Sequence, residues 1–107
     1  MDAEENQLRE AVERLHHCTA RLIQSVPVRE KFVGETVWEG VVHIFEITGH
    51  PEATQAYAWS SPIEGSNKRR FFAMLQQPPI ISPLDAVRAA IVQEFRSKNI
   101  TRSKGDA

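Results

Sequence analysis

Apolar residues recur along the chain with two different periods, and the changes of period mark out elements. Leu8, Val12, Leu15, Leu22 and Ile23, with Ala11, Cys18 and Thr19 between them, are spaced by threes and fours. That spacing predicts one amphipathic helix over residues 2–25. Pro27 is expected to end it, because the residue before a proline avoids helical geometry. Residues 26–34 then read as a connector, with Phe32 and Val33 tucked down at its end. The period shortens to two in TVWEGVVHIFEIT, residues 36–48, a run rich in β-branched and aromatic side chains that predicts a strand. Gly40 inside it marks a bulge or a close backbone approach. A turn signal at Gly49-His50-Pro51-Glu52 leads to a second strand, ATQAYAWSS, over residues 53–61. The connector PIEGSNK separates it from a third strand, RRFFAMLQQ, over residues 69–77, which Pro78-Pro79 stops. Ser82 then reads as an N-cap, Pro83 as the first helical residue and Asp85 as the answering residue of a capping box. Leu84, Val87, Ile91 and Phe95 continue at helical spacing, with the helix fading near Lys98 and a frayed polar tail from about residue 99.

The expected fold is therefore α+β: an N-terminal helix, a three-stranded antiparallel meander and a C-terminal helix (α-β-β-β-α), in one domain over residues 1–107. Pairing around the two turns would gather Val41, Phe45, Tyr57, Trp59, Phe71 and Leu75 on one sheet face. The other face would gather Trp38, Val42, Ile44, Ala56, Ala58, Phe72 and Met74. An antiparallel sheet with one wet face alternates apolar with polar; here both parities of the first and third strands are apolar. Something must cover both faces. A second copy of the chain would do so, a homodimer being the commonest symmetric assembly. The two helices could instead divide between the faces, or one face could line a ligand pocket or meet a different protein.

Charge narrows the partners. Thirteen basic and fourteen acidic side chains leave a formal net charge of −1, so no global field draws nucleic acid or anionic lipid. The acidic start and basic end complement helix dipoles. A single cysteine, Cys18, allows no internal disulfide. No apolar run approaches the ~20 residues that span a bilayer, and the polar N-terminus is unlike a signal peptide. The expectation is a cytoplasmic protein with no membrane partner.

Candidate chemistry is sparse. His43 and Glu39 share a strand parity but lie about 13 Å apart, so a His–carboxylate pair needs partners from another strand. His43, a histidine among apolar neighbours, is the residue to test first, since histidine as a residue type is the ordinary acid–base side chain of neutral pH. His16-His17-Cys18 cannot converge on one ion from a helix, and Cys18 falls on the buried stripe, where a thiol is an inert hydrophobe. No metal or cofactor is expected, and no catalytic residue is assigned. Lys68-Arg69-Arg70-Phe71-Phe72 mixes basic and aromatic residues as single-stranded nucleic-acid platforms do, but it does not match the glycine-containing ribonucleoprotein motif, and a solvated strand start followed by core phenylalanines accounts for it better. Trp38, Tyr57 and Trp59 have the amphipathic rings of a pocket wall, with His43 as the polar group.

The blocks VWEGVVHIFEITGHPEATQAYAWSSPI, KRRFFAMLQQPPI and SPLDAVRAAIVQEF, covering Val37 to Phe95, resemble small uncharacterised bacterial proteins of the kind encoded by mobile integron gene cassettes. The resemblance implies a bacterial, cytoplasmic, often oligomeric protein and carries no catalytic residue across. Three readings of function follow. The first is a non-catalytic binding or assembly domain that forms a homo-oligomer through its sheet. The second is a small-molecule-binding protein or small enzyme with an aromatic pocket of Trp38, Tyr57, Trp59 and His43. The third is a nucleic-acid or toxin–antitoxin accessory using Arg69 and Arg70.

Overall fold

The computed structural model describes residues 3–63 and 65–93, without the side chain of Phe32. Its elements are α1 (Ala3–His16), β1 (Thr19–Phe32), β2 (Glu35–Thr48), β3 (Gln55–Pro62) and β4 (Arg69–Leu75), followed by α2, described over residues 83–93. The fold is α+β with two helices, and the strands form one antiparallel sheet in the order β1-β2-β3-β4. The sheet thus has four strands rather than the three expected. The expected packing of Phe32, the continuation of α2 through Phe95 to Lys98 and the frayed tail lie outside what is described.

The extra strand comes from the region predicted as the end of the first helix. The helix stops at His16, because His17 adopts φ 52° and the Cys18 amide donates to the Glu13 carbonyl at 3.3 Å. This is a Schellman cap with histidine where glycine usually stands. Glu13 seals the reversal by accepting the Ala20 amide at 2.8 Å. Beyond it, residues 19–32 pair along nearly the whole of β2, with irregularities between Leu22 and Gln24 and between Glu30 and Lys31. The first of these resets the alternation, so Leu22 and Ile23 mimic helical spacing while lying in a strand. Pro27 sits within β1 and not at a helix end; β1 is an edge strand, where proline is tolerated.

The chain supplies its own cover for both sheet faces. Leu8 and Val12 of α1 pack with Ala20, Phe45, Ile47, Ala56 and Ala58 on one face. Ala86, Val87 and Ala90 of α2 pack with Val42, Ile44, Tyr57 and Trp59 on the other. The expected grouping holds for β2 and β4, but β3 is inverted: Tyr57 and Trp59 lie opposite Ile44 and Phe72, not on the Phe45 face. A one-residue slip flips every side chain of a strand. Here the slip arises in the connection after β2, which the Ile47 amide closes on the Thr54 carbonyl at 2.9 Å. His50 Nδ1 holds that connection by accepting the amides of Glu52 and Ala53 at 3.1 and 3.0 Å.

The start of α2 is as the sequence predicts. Ser82 Oγ accepts the Asp85 amide at 3.1 Å, and Asp85 Oδ2 reaches back to the Ile81 amide at 3.2 Å, one residue earlier than in the usual box. The Arg88 guanidinium on α2 donates to the Glu30 carboxylate of β1, tying that helix to the edge strand. The hydrogen bond from Arg88, more than its charge, holds the Glu30 carboxyl below the usual glutamate range.

The β1–β2 turn is strained. Val33 and Gly34 have φ 52° and 79°, the pattern of a two-residue hairpin turn with both central residues left-handed. Val33, expected to tuck inward, is instead 85% exposed. A β-branched residue there incurs steric strain and gains nothing from burial. Val33→Asn is expected to stabilise the domain by about 1 kcal/mol, raising the midpoint of thermal unfolding by roughly 4 °C. A lower midpoint by calorimetry would contradict the assignment of strain.

Candidate functional site

The two long strands remain paired to the tip of their hairpin, from Thr19↔Thr48 to Phe32↔Glu35. β3 and β4 likewise stay paired as far as Pro62↔Arg69. Between these hairpins, however, β2 and β3 pair only from Glu46↔Gln55 to His43↔Ala58. Beyond that point the sheet forks. A cleft of about 380 Å³ opens in the fork, beneath α2.

The wall of the cleft is aromatic. Trp59 on β3 and Phe72 on β4 are directly opposite and stack, with ring centroids 5.2 Å apart and planes 11° from parallel. Trp38 comes from β2 on the far side of the fork and meets Trp59 edge to face, centroids 6.2 Å apart at 69°. Its indole Nε1 donates to Ser61 Oγ at 3.2 Å, so one side chain bridges the two hairpins. From α2, Val87, Ala90 and Ile91 form the roof. Ser61 and Arg70 lie at the polar end. The volume falls at the small end of the range for ligand pockets.

Gly40 makes the position of Trp38 possible. A methyl group built at Gly40 would lie 2.9 Å from the indole edge, closer than carbon atoms approach one another. The glycine therefore makes room for a side chain of its own strand, rather than for the bulge or close backbone approach that its place in the strand suggested; the ladder irregularities lie elsewhere.

Of the four residues expected to form a pocket, the structure brings Trp38 and Trp59 together at the cleft. Tyr57 shares their face but is buried beneath, its hydroxyl accepting from Gln76 Nε2 at 3.1 Å. His43 is on the opposite face, cross-strand from Ala58. It is 6% exposed, with Nδ1 sharing a 2.8 Å hydrogen bond with Ser25 Oγ and Nε2 3.8 Å from a Glu4 carboxylate oxygen. Serine, histidine and glutamate in that order suggest a nucleophile and its base. The Glu4 distance exceeds hydrogen-bond length, however, and the sheet separates the group from the cleft. Glu39 and Glu46 are engaged by Arg29 and Arg21 across the strand pair.

The remaining candidates are held by the fold. His16 Nε2 is 3.0 Å from the Ala73 carbonyl oxygen. Burial and then the Glu13 carboxylate push the Cys18 thiol up, away from the nucleophilic thiolate. Arg69 donates to Ser60 Oγ at 2.7 Å on the α1 side of the sheet, whereas Arg70 lies at the cleft. The two arginines therefore point to opposite faces. Sequence reasoning missed Phe72, Ser61 and Arg70 as cleft residues. Their alternation with Trp59 could have found them once the β3–β4 register was known.

Gly40→Ala is expected to displace the Trp38 ring, shift tryptophan emission and lower stability by about 1–3 kcal/mol, the usual scale for overpacking. Unchanged emission with unchanged stability in denaturant titration would contradict the close approach. No protein-family model, curated protein or solved structure matches the chain.

Proposed function

We propose that this chain is a non-catalytic binding protein whose cleft, in the fork between the two hairpins, takes a small molecule. The supporting observation is the arrangement of Trp38, Trp59 and Phe72 around a cavity of about 380 Å³ with Ser61 and Arg70 at one end. Apolar walls with a few convergent polar groups are what small-molecule sites are built from. Among the described residues lining the cleft there is no carboxylate, histidine or thiol to move a proton or attack a bond, which favours binding over turnover. The separation of Arg69 from Arg70 argues against a continuous basic platform for nucleic acid. A bacterial, cytoplasmic setting belongs to the same proposal, on the lone cysteine and the resemblance to cassette proteins. Among the described residues no helix is long and apolar enough to cross a membrane.

Both tryptophans of the chain line the cleft, so their emission reports on the site directly. A fragment library screened by tryptophan emission is expected to yield ligands whose effect disappears in Ala90→Leu, which fills the roof, while circular dichroism stays native. Ligand responses that persist in a folded Ala90→Leu protein would overturn the reading.

Self-association is a second reading, favoured by one feature. Among the described residues, the outer half of β1–β2 on the α1 side has no helix over it, with Val37 and Val41 exposed beside the Arg29–Glu39 pair. A two-fold partner could meet such a neutral patch with its own copy. On this reading, light scattering after gel filtration gives a dimer at micromolar concentration that Val41→Lys converts to monomer. A monomeric wild-type protein removes it.

A further inference from the structure

We infer that Arg69 is the positioning residue of the fork: its guanidinium takes the backbone carbonyl that β2 would otherwise pair with, and so keeps the cleft preformed. The inference deepens the reading of the cleft as a binding site, and rests on that reading for what the open fork serves. The direction of each backbone group follows from the ladders. The Ile47 amide donates to the Thr54 carbonyl, and the Gln76 amide donates to the Gln55 carbonyl. Hydrogen-bonded and non-hydrogen-bonded pairs alternate along an antiparallel ladder, so an inner strand turns successive residues to its two neighbours. On β3, Ala56 and Ala58 therefore address β2, whereas Tyr57, Trp59 and Ser61 address β4. Ser60 is the next residue turned towards β2. One hydrogen-bonded rung beyond His43↔Ala58, the β2–β3 ladder would bring the Val41 amide to the Ser60 carbonyl, but it ends at His43.

Arg69 stands where that rung would form. It donates through a terminal nitrogen to the Ser60 carbonyl at 3.2 Å and through Nε to Ser60 Oγ at 2.7 Å. A guanidinium is a rigid planar set of donors that accepts nothing, so one side chain engages both acceptors of one residue. Its bonds are charge-assisted and roughly twice as strong as neutral ones. Ser60 is 9% exposed, so its carbonyl needs a partner, and Arg69 is the one it has instead of β2. The rung after that would need an amide from Pro62, and proline has none. On the opposite face Trp38 Nε1 donates to Ser61 Oγ. Two adjacent serines, turned to opposite faces, are thus each held by a side chain at the point where the sheet divides.

The test is hydrogen exchange at the Val41 amide, read by NMR in the full chain and referred to the Phe45 amide within the ladder. Arg69→Met keeps the apolar stem and removes the donors. In that variant the Val41 amide is expected to bond to the freed Ser60 carbonyl and to exchange roughly tenfold more slowly than in the wild-type protein. Arg69→Lys keeps a donor and is expected to stay within about threefold of the wild-type rate. If Arg69→Met fails to fold by circular dichroism, Ser60→Ala, which removes the shorter of the two contacts, is expected to slow the same amide about threefold. Unchanged or faster exchange at Val41 in the folded variant, or slowing as large in Arg69→Lys as in Arg69→Met, would overturn the role of Arg69. The measurement uses no ligand, so its outcome is separate from that of the fragment screen with Ala90→Leu, which judges the cleft.

Discussion

Residues 42–45 of β2 are all buried, so this stretch must be shielded on both faces at once. A layer of water against either side would leave Val42 and Ile44, or Phe45, solvated, at about 25 cal/mol for each Å² of apolar surface. The chain meets the demand with one helix per face. On the α1 side Leu8 and Val12 of the helix pack over Phe45 and Ile47, with Ala20, Ala56, Ala58 and Ala73 giving the helix room to approach. On the α2 side the bulk comes mainly from Tyr57, Trp59 and Phe72 of the sheet, against Ala86, Val87 and Ala90 of the helix.

The fork in the sheet fits the same arrangement. Once β2 passes His43 towards its tip, its α1 face becomes exposed at alternate positions. Its other face stays half-covered through Trp38, with Val28 buried beneath α2. Beyond the end of the β2–β3 ladder, the indole of Trp38 spans to Ser61 in place of backbone pairing. The aromatic face therefore contains a cleft, because rings joined at their edges do not fill space as interleaved strands do. Gly40 leaves room for that bridge, since a β-carbon there would lie 2.9 Å from the indole and force a shift.

Much of this was legible in the residues. The capping box at Ser82, the double-sided apolar surplus and a special role for Gly40 follow from spacing and residue size, while the division of the helices between the faces was one of the covers the sequence left open. The fourth strand was hidden by an irregularity: with the alternation reset between Leu22 and Gln24, residues 18, 19, 22 and 23 fall on helical intervals although they lie in and beside a strand. The helix end was hidden because His17, not glycine or asparagine, takes the left-handed position. The inversion of β3 turned on the conformation of the connection after Thr48, which is set by His50 and by the Thr54 carbonyl. That inversion separated His43 from Tyr57 and Trp59, whose face it had been expected to share, and put them on the face of Trp38. Parity within one strand can be read from sequence, but parity between strands requires the turn.

The placement of titratable groups bears on what kind of protein this is. His43 is bonded to Ser25, His16 lies against a backbone carbonyl, and His50 accepts two backbone amides. The Cys18 thiol is held protonated by burial. Each of these groups secures a strand, a cap or a turn. His43 and Cys18 pack on the α1 side, and His16 meets the backbone of β4 outside the cleft lining. Among the described residues, the cleft lining presents rings, aliphatic side chains, a hydroxyl and a guanidinium, so these imidazoles and the thiol serve the fold and not the cleft.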